Sequence, residues 1–524
     1  MLTVQDLARA SADLTATRSR SAKVARLAAL LRGATAADIG AAARWCTGEV
    51  ADRSLGIGPA QVHTALATQP AAAPGLTLND VMGRLTAVAE ISGAGSKARR
   101  AEVLAALFAS ATGDEQRFLG RLILGELRQG ALEALVVDAI AAAFDIPTAS
   151  VRRAQMLRGA IAEVAAIARS EGRAGLDALQ LQIFRPLLPM LAQPAADLDE
   201  ALGQLPHPIL EYKLDGARVQ IHKQGETVRA YSRQGNDVTP AVAEVVEAVA
   251  ALPTRELVLD GETLALAADG RPQPFQTTMR RFGRHSDDPE LRDRLPLTVF
   301  CFDCLARDGE TLIDAPTRER HAALADALPP KLLIPRLADG DAAAAEGFLQ
   351  AALAAGHEGL MAKHPEAPYA AGGRGSHWLK IKQAHTLDLV VLAAEWGSGR
   401  RRGWLSNLHL GCRDGTGGYL MLGKTFKGLT DKLLAWQTQQ LLAREVVRNG
   451  PVVQVRPELV VEIAFNELQQ SRQYPAGLAL RFARVKGYRS DKTAAQADHI
   501  DSVRVLFERQ VAYRSSALPH AANA

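Results

Sequence analysis

The sequence predicts three unlike regions in one chain: an all-α N-terminal domain, a mixed α/β middle domain and a small β-barrel at the C terminus. Three observations carry this. The chain has 524 residues, several times the roughly 100–200 of a typical domain. Its apolar residues recur every three or four positions up to about residue 180 and alternate in short runs after Pro206, the signatures of helices and of strands. The charge divides as well: residues 386–524 carry 19 Lys and Arg against 12 Asp and Glu, a balance of +7, which leaves −3 for residues 1–385.

Composition narrows the class. With 48% hydrophobic and 23% charged residues the chain is globular rather than disordered. Its Ala-rich runs are broken by Asp, Glu or Arg too often for a membrane span, and the start MLTVQDLARASADL has no basic segment followed by an apolar one. Four cysteines are too few for a disulfide framework, so a cytoplasmic protein with free thiols is expected. The basic C-terminal region suggests a polyanionic partner.

In chain order, VARLAALL, AADIGAAARW and GALEALVVDAIAAAF predict helices. Prolines 186, 189 and 194 mark an extended strap, FRPLLPMLAQPAADLDE. ILEYKL, RVQIH, VRAYS and ELVLDGETLAL predict strands, with helices at VAEVVEAVAAL and DAAAAEGFLQAALAAG. DLVVLAAEW, WLSNLHLGC, GYLMLGKTF and LVVEIAFNEL predict strands around one helix, KLLAWQTQQLLAREV, which suits a small barrel. The expected divisions are 1–185, 186–385 and 386–514, with a disordered tail at 515–524.

The chemistry begins in ILEYKLDGARVQI. On a strand, Ile209, Glu211 and Lys213 share one face and Leu210, Tyr212 and Leu214 the other. The Asp-Gly turn that follows brings Arg218 to the same mouth as the Lys213 amine. A lone lysine there would read as surface. Downstream, however, stand Arg233, Glu262, Phe302, Glu358, Lys380 and Lys382. Period two places Trp378, Lys380 and Lys382 on one face with Leu379 and Ile381 in the core. Neighbouring lysines repel unless an anion lies between them, and a triphosphate would satisfy both.

These ordered motifs, Lys213-Leu214-Asp215-Gly216-Ala217-Arg218, YSRQGND, LDGET, FCFDCL, EGLMAK and WLKIK, closing with RFARVKGYRSDK, resemble those of ATP-dependent DNA ligases of the archaeal and cellular type. TATRSRSAKVARLAALL, GEVADRSLGIG and FLGRLILGELRQGALEALVVDAI resemble the helical DNA-binding domain of that family. Ala483 replaces the usual Pro of the RFPR segment. The resemblance implies an ATP-grasp-like adenylation domain and an OB-fold. It implies nick sealing in double-stranded DNA through a Lys213–AMP adduct, in replication, repair and recombination. An RNA ligase and an inactive nick-binding protein are the alternatives.

The resemblance also implies roles. Phe302 stacks on adenine, Glu211 lies by the base, Arg218 and Glu262 sit at the ribose, and Arg233, Arg374, Lys380 and Lys382 meet ribose or phosphates. Glu262 and Glu358 hold Mg²⁺. Arg489, Asp491 and Lys492 orient pyrophosphate from a C-terminal domain that swings about His385–Leu387. Because only a neutral amine attacks phosphorus, nearby cations and burial are expected to lower the Lys213 pKa. DNA contact is expected at Arg121, Arg128, Arg400–Arg402, Lys424 and Lys427, by a monomer with no membrane partner. The Cys301/Cys304 pair is expected to point to opposite faces of its strand and bind nothing, and GAGSK at 93–97 to be a loop between helices.

Overall fold

The structure is a computed structural model that describes residues 1–51, 55–127, 129, 133–282, 289–371, 377–382 and 385–515, with side chains to Glu508. Arg128, Arg374 and the tail from 516 lie outside the described residues.

Eleven of the described helices run from Val4–Ala16 to Gly172–Asp177. Several begin at a threonine whose hydroxyl caps the first turn while an acid three residues on reaches back: Thr3 with Asp6, Thr77 with Asp80, Thr112 with Glu115. Their apolar faces, including Leu14, Leu31, Trp45, Phe108 and Ile140, close on one core. Of GAGSK, residues 93–95 form the short connection, and Ser96 and Lys97 already open the helix Ser96–Ala109.

Ten strands follow: β1 (Gln193–Ala195), β2 (Ile209–Lys213), β3 (Ala217–Gln224), β4 (Thr227–Ser232), β5 (Glu256–Ala265), β6 (Leu297–Arg307), β7 (Glu310–Thr311), β8 (Arg336–Leu337), β9 (Gly359–Lys363) and β10 (Trp378–Lys382). They form two sheets, β1-β10-β9-β2-β8 and β4-β3-β5-β6-β7. Among the described strands of these two sheets only β1 pairs parallel, with β10. The first sheet backs onto the helices Leu198–Gln204 and Ala342–Ala354 through Leu210, Leu360, Leu379 and Ile381. The second packs Val219, Leu259 and Val299 against Val245 and Val249 of the helix Ala243–Ala250.

The strap is shorter than expected, because β1 and the helix Leu198–Gln204, capped by Asp197, take nearly its last half. What remains is tied to β3 and β4. Leu187 N–H donates to Gln220 Oε1 at 2.7 Å, Phe184 N–H donates to His222 Nδ1 at 2.9 Å, and the Tyr231 hydroxyl donates to Phe184 O at 2.8 Å. Burial depresses the His222 pKa to about 3, so the ring is neutral and its Nε2 proton faces Gln220 Oε1 at 2.9 Å.

One expectation about β6 is corrected. Its pairing with β5 slips at two places, leaving Phe302 and Leu305 as extra residues. These bulges break the alternation, so Cys301 and Cys304 both enter the apolar cluster under the second sheet instead of facing opposite ways. Both are free thiols, and burial raises both pKa values, that of Cys304 to about 12.

The C-terminal region holds β11 (His385–Trp396), β12 (Leu405–Arg413), β13 (Tyr419–Thr425), β14 (Glu445–Asn449), β15 (Val452–Val455), β16 (Val460–Phe465), β17 (Glu467–Gln470), β18 (Leu478–Arg481) and β19 (Arg484–Tyr488). Seven strands form a sheet organised by the long β11, which pairs with β12, β15 and β16; β17 and β18 form a separate hairpin beside β13. The helix Asp431–Leu442 ends before β14, which takes the last residues of the helix expected there. The hinge expected at His385–Leu387 falls at the start of β11, where these residues are registered against Phe465, Ala464 and Ile463 of β16.

Candidate active site

Sheet register builds the site. Lys213 of β2 stands opposite Gly359 of β9, which stands opposite Lys382 of β10; the next rows are Glu211, Met361, Lys380 and Ile209, Lys363, Trp378. Gly359 leaves room between the two lysines, and nothing larger fits. Its φ is +142°, and a Cβ would lie 2.1 Å from Ile381 O. The preceding Glu358 bridges the lysines, with Oε2 2.8 Å from Lys213 Nζ and Oε1 2.5 Å from Lys382 Nζ.

That bridge reverses the expectation for the nucleophile. Burial alone would lower the Lys213 pKa, but the Glu358 carboxylate, with Glu262 and Asp215 behind it, outweighs burial and raises it. Glu358 is itself held below the ordinary range: burial would raise it, and the two lysines prevail. Lys380 is lowered, by burial first and then by Lys213, Lys382 and Arg233. Glu262 is raised to about 7, chiefly by burial that Lys213 and Arg218 offset only in part.

Glu211, Lys213, Arg218, Arg233, Glu262, Phe302, Glu358, Lys380 and Lys382 all line one cleft of about 660 Å³. Their surroundings differ. Arg233 is exposed at the mouth. Glu211 is buried and receives Arg336 Nε and Nη2 at 3.0 and 2.9 Å and Lys363 Nζ at 2.6 Å. Arg218 is held by Asp260 and by Met190 O. The bulge in β6 turns Phe302 toward the cleft, where its ring lies 6.1 Å from that of Trp378, edge on, and 4.7 Å from Lys363 Nζ.

The closing motif sits elsewhere. Arg489 and Lys492 grip Asp388 at 3.1 and 2.5 Å, and Arg489 also pairs with Asp491 at 2.7 Å. None of the three lines the cleft. Of the cations offered for DNA contact, Arg400 pairs with Asp431 at 2.8 Å and Lys424 with Glu395 at 2.5 Å. Arg121, Arg402 and Lys427 are exposed.

Sequence reasoning passed over Asp260, Lys363, Arg336, Tyr369 and Met190. Asp260 was within reach, since it shares a strand face with Glu262 two residues on. Arg336 and Met190 carry no local pattern that marks them. Among the described residues no group of three or more His, Cys, Asp or Glu is arranged to hold a metal, and no helix is long and apolar enough to cross a membrane.

Family models match the chain in three places: DNA ligase N terminus at 62–141, ATP dependent DNA ligase domain at 189–382 and ATP dependent DNA ligase C terminal region at 401–492. A probable DNA ligase of Anaeromyxobacter sp. (strain Fw109-5) is 57% identical over 510 residues, covering 97% of this chain and 98% of the relative. A probable DNA ligase of Mycolicibacterium gilvum (strain PYR-GCK) is 52% identical over 508 residues, covering 96% and 99%. The solved structure Pmar-Lig_PreS3, 18% identical, aligns with a TM-score of 0.58 over 93% of this chain and 100% of its own, a likeness of fold.

Proposed function

Because this chain belongs to the ATP-dependent DNA ligases, we propose that Lys213 takes AMP from ATP and passes it to the 5′-phosphate of a nick. The observation that carries this assignment is the bridged trio Lys213, Glu358 and Lys382 at the base of a cleft that also holds Glu262, Lys380 and Phe302.

In the first step the Lys213 ammonium passes one proton to Glu358 Oε2. Its neutral Nζ then forms a bond to the α-phosphorus while the bond to the pyrophosphate oxygen breaks, and the second proton leaves with the pyrophosphate. Lys380, Lys382, Arg233 and Arg374 hold the phosphates. Phe302 stacks on the adenine, whose edge faces Glu211, and Arg218 and Glu262 border the ribose. In the later steps the 5′-phosphate displaces Lys213 from AMP, and the 3′-hydroxyl displaces AMP.

Glu262 and Glu358 suit a magnesium ion: the Glu262 pKa rises to about 7 because Lys213 and Arg218 only partly compensate its burial, and hard carboxylate oxygens are what such an ion takes. When bound it supplies positive charge at the α-phosphate and the leaving pyrophosphate.

Residues 1–185 form the DNA-binding domain, 186–385 the adenylation domain and 386–514 an OB-fold in this proposal, and the protein grips nicked duplex as a monomer. Its C-terminal domain turns so that Arg489, Asp491 and Lys492 leave Asp388 and reach the pyrophosphate. Incubation with ATP and Mg²⁺ followed by mass measurement tests the assignment. An AMP-sized increment absent from Lys213→Ala supports it, and an increment that persists in that variant refutes it.

A further inference from the structure

Behind the cleft wall, three groups that lie as many as 179 residues from Tyr369 in sequence meet at its hydroxyl. Tyr369 is 2% exposed and Asp260 1%. Tyr369 Oη donates to Asp260 Oδ2 at 2.8 Å, accepts Met190 N–H at 3.0 Å and accepts Arg218 Nη2 at 3.2 Å. A phenol has one proton to give and two lone pairs to fill, so its bonding capacity is used completely. Burial, with Asp260 alongside, raises its pKa well above the usual phenol value, which keeps the donated proton in place.

Arg218 is the member that reaches the cleft. Its Nε and Nη2 donate to the two oxygens of Asp260 at 2.9 and 2.6 Å and its Nη1 donates to Met190 O at 2.7 Å. Its guanidinium carbon lies 5.4 Å from the Phe302 ring centre. Met190 belongs to the strap that leads out of the helical domain. Both its N–H and its carbonyl are committed to this cluster.

We propose that Tyr369 is a positioning residue: its hydroxyl orients Arg218 against the nucleotide side of the cleft and makes that orientation depend on the docked strap. This rests on the ligase assignment. Without the hydroxyl, Met190 N–H loses its acceptor and Arg218 keeps only Asp260 and one carbonyl. A loosened guanidinium should weaken nucleotide binding more than it slows the chemistry at Lys213.

The test is a cycle of Tyr369→Phe, Arg218→Ala and the double variant, read as the rate of Lys213–AMP formation against ATP concentration, with thermal melting of each. Tyr369→Phe should raise the KM for ATP about tenfold with kcat within about twofold, and the double variant should be no worse than Arg218→Ala alone. Multiplying effects, or a Tyr369→Phe enzyme with unchanged KM, would overturn the proposal. If Tyr369→Phe fails to fold, Asp260→Asn with Arg218→Ala supplies the same cycle with the same two outcomes. Failure of the unaltered enzyme to form any adduct would instead refute the ligase assignment.

Discussion

Lys213 Nζ and Glu358 Oε2 lie 2.8 Å apart at the base of the cleft, so the Lys213 side chain rests as an ammonium held by a carboxylate. The same carboxylate holds Lys382 with its other oxygen. Entry of a polyphosphate between the lysines would compete for both contacts.

Replacing Glu358 by Gln removes the largest influence that raises the Lys213 pKa and leaves burial, which lowers it. More of the amine is then neutral at a given pH. The acid limb of the pH profile for adduct formation is expected to move to lower pH. Rapid-quench mass measurements across pH 5 to 9 check this, and an unmoved limb counts against the role given to the bridge.

Glu262 titrates near 7 in the fold, above its unfolded value, so its contribution favours folding at acid pH and is lost as pH rises through about 7. Glu262→Gln is therefore expected to raise the melting temperature at pH 8, by about 5 °C, and to change it little at pH 4. Mg²⁺ should stabilise the unaltered chain at pH 8 more than the variant. Equal effects at both pH values would show that Glu262 is not the buried charge described.

Gly359→Ala would place a methyl group against Ile381 O at a backbone angle that side chains resist. The β9–β10 register that aligns Lys213 with Lys382 must then shift. Adduct formation should fall on the order of a hundredfold, the usual consequence of an ångström of misplacement. Near-normal rates with a folded variant would mean that the row need not be so tight.

Binding of nicked duplex by exposed cations such as Arg121, Arg402 and Lys427 should release counterions. Affinity is expected to drop by on the order of a thousandfold between about 50 and about 200 mM salt, with no dependence on base sequence. Titrations with a labelled nicked duplex measure the slope, and a flat response would exclude phosphate contact as the main attraction.

Much of the site was legible because strand alternation is local. Two residues of spacing are enough to put Glu211 with Lys213, and Lys380 with Lys382, on one face, and Leu379 and Ile381 did go to the core. Alternation failed where the backbone departed from it. The β6 bulges depend on pairing with β5, which no property of FCFDCL by itself reveals, and they sent Cys304 to the same core as Cys301 while turning Phe302 toward the cleft.

Pairings across long separations were not legible at all. Arg218 meets Asp260 and Met190, Glu211 meets Arg336 and Lys363, and Arg489 meets Asp388, in each case because folding brought distant segments together. The amino-acid order alone settled which residues make up the motifs and, where the strands are regular, which face carries them. Tertiary structure alone settled which charges touch, and hence that Lys213 rests protonated, because electrostatic energy depends on distance and burial rather than on position along the chain.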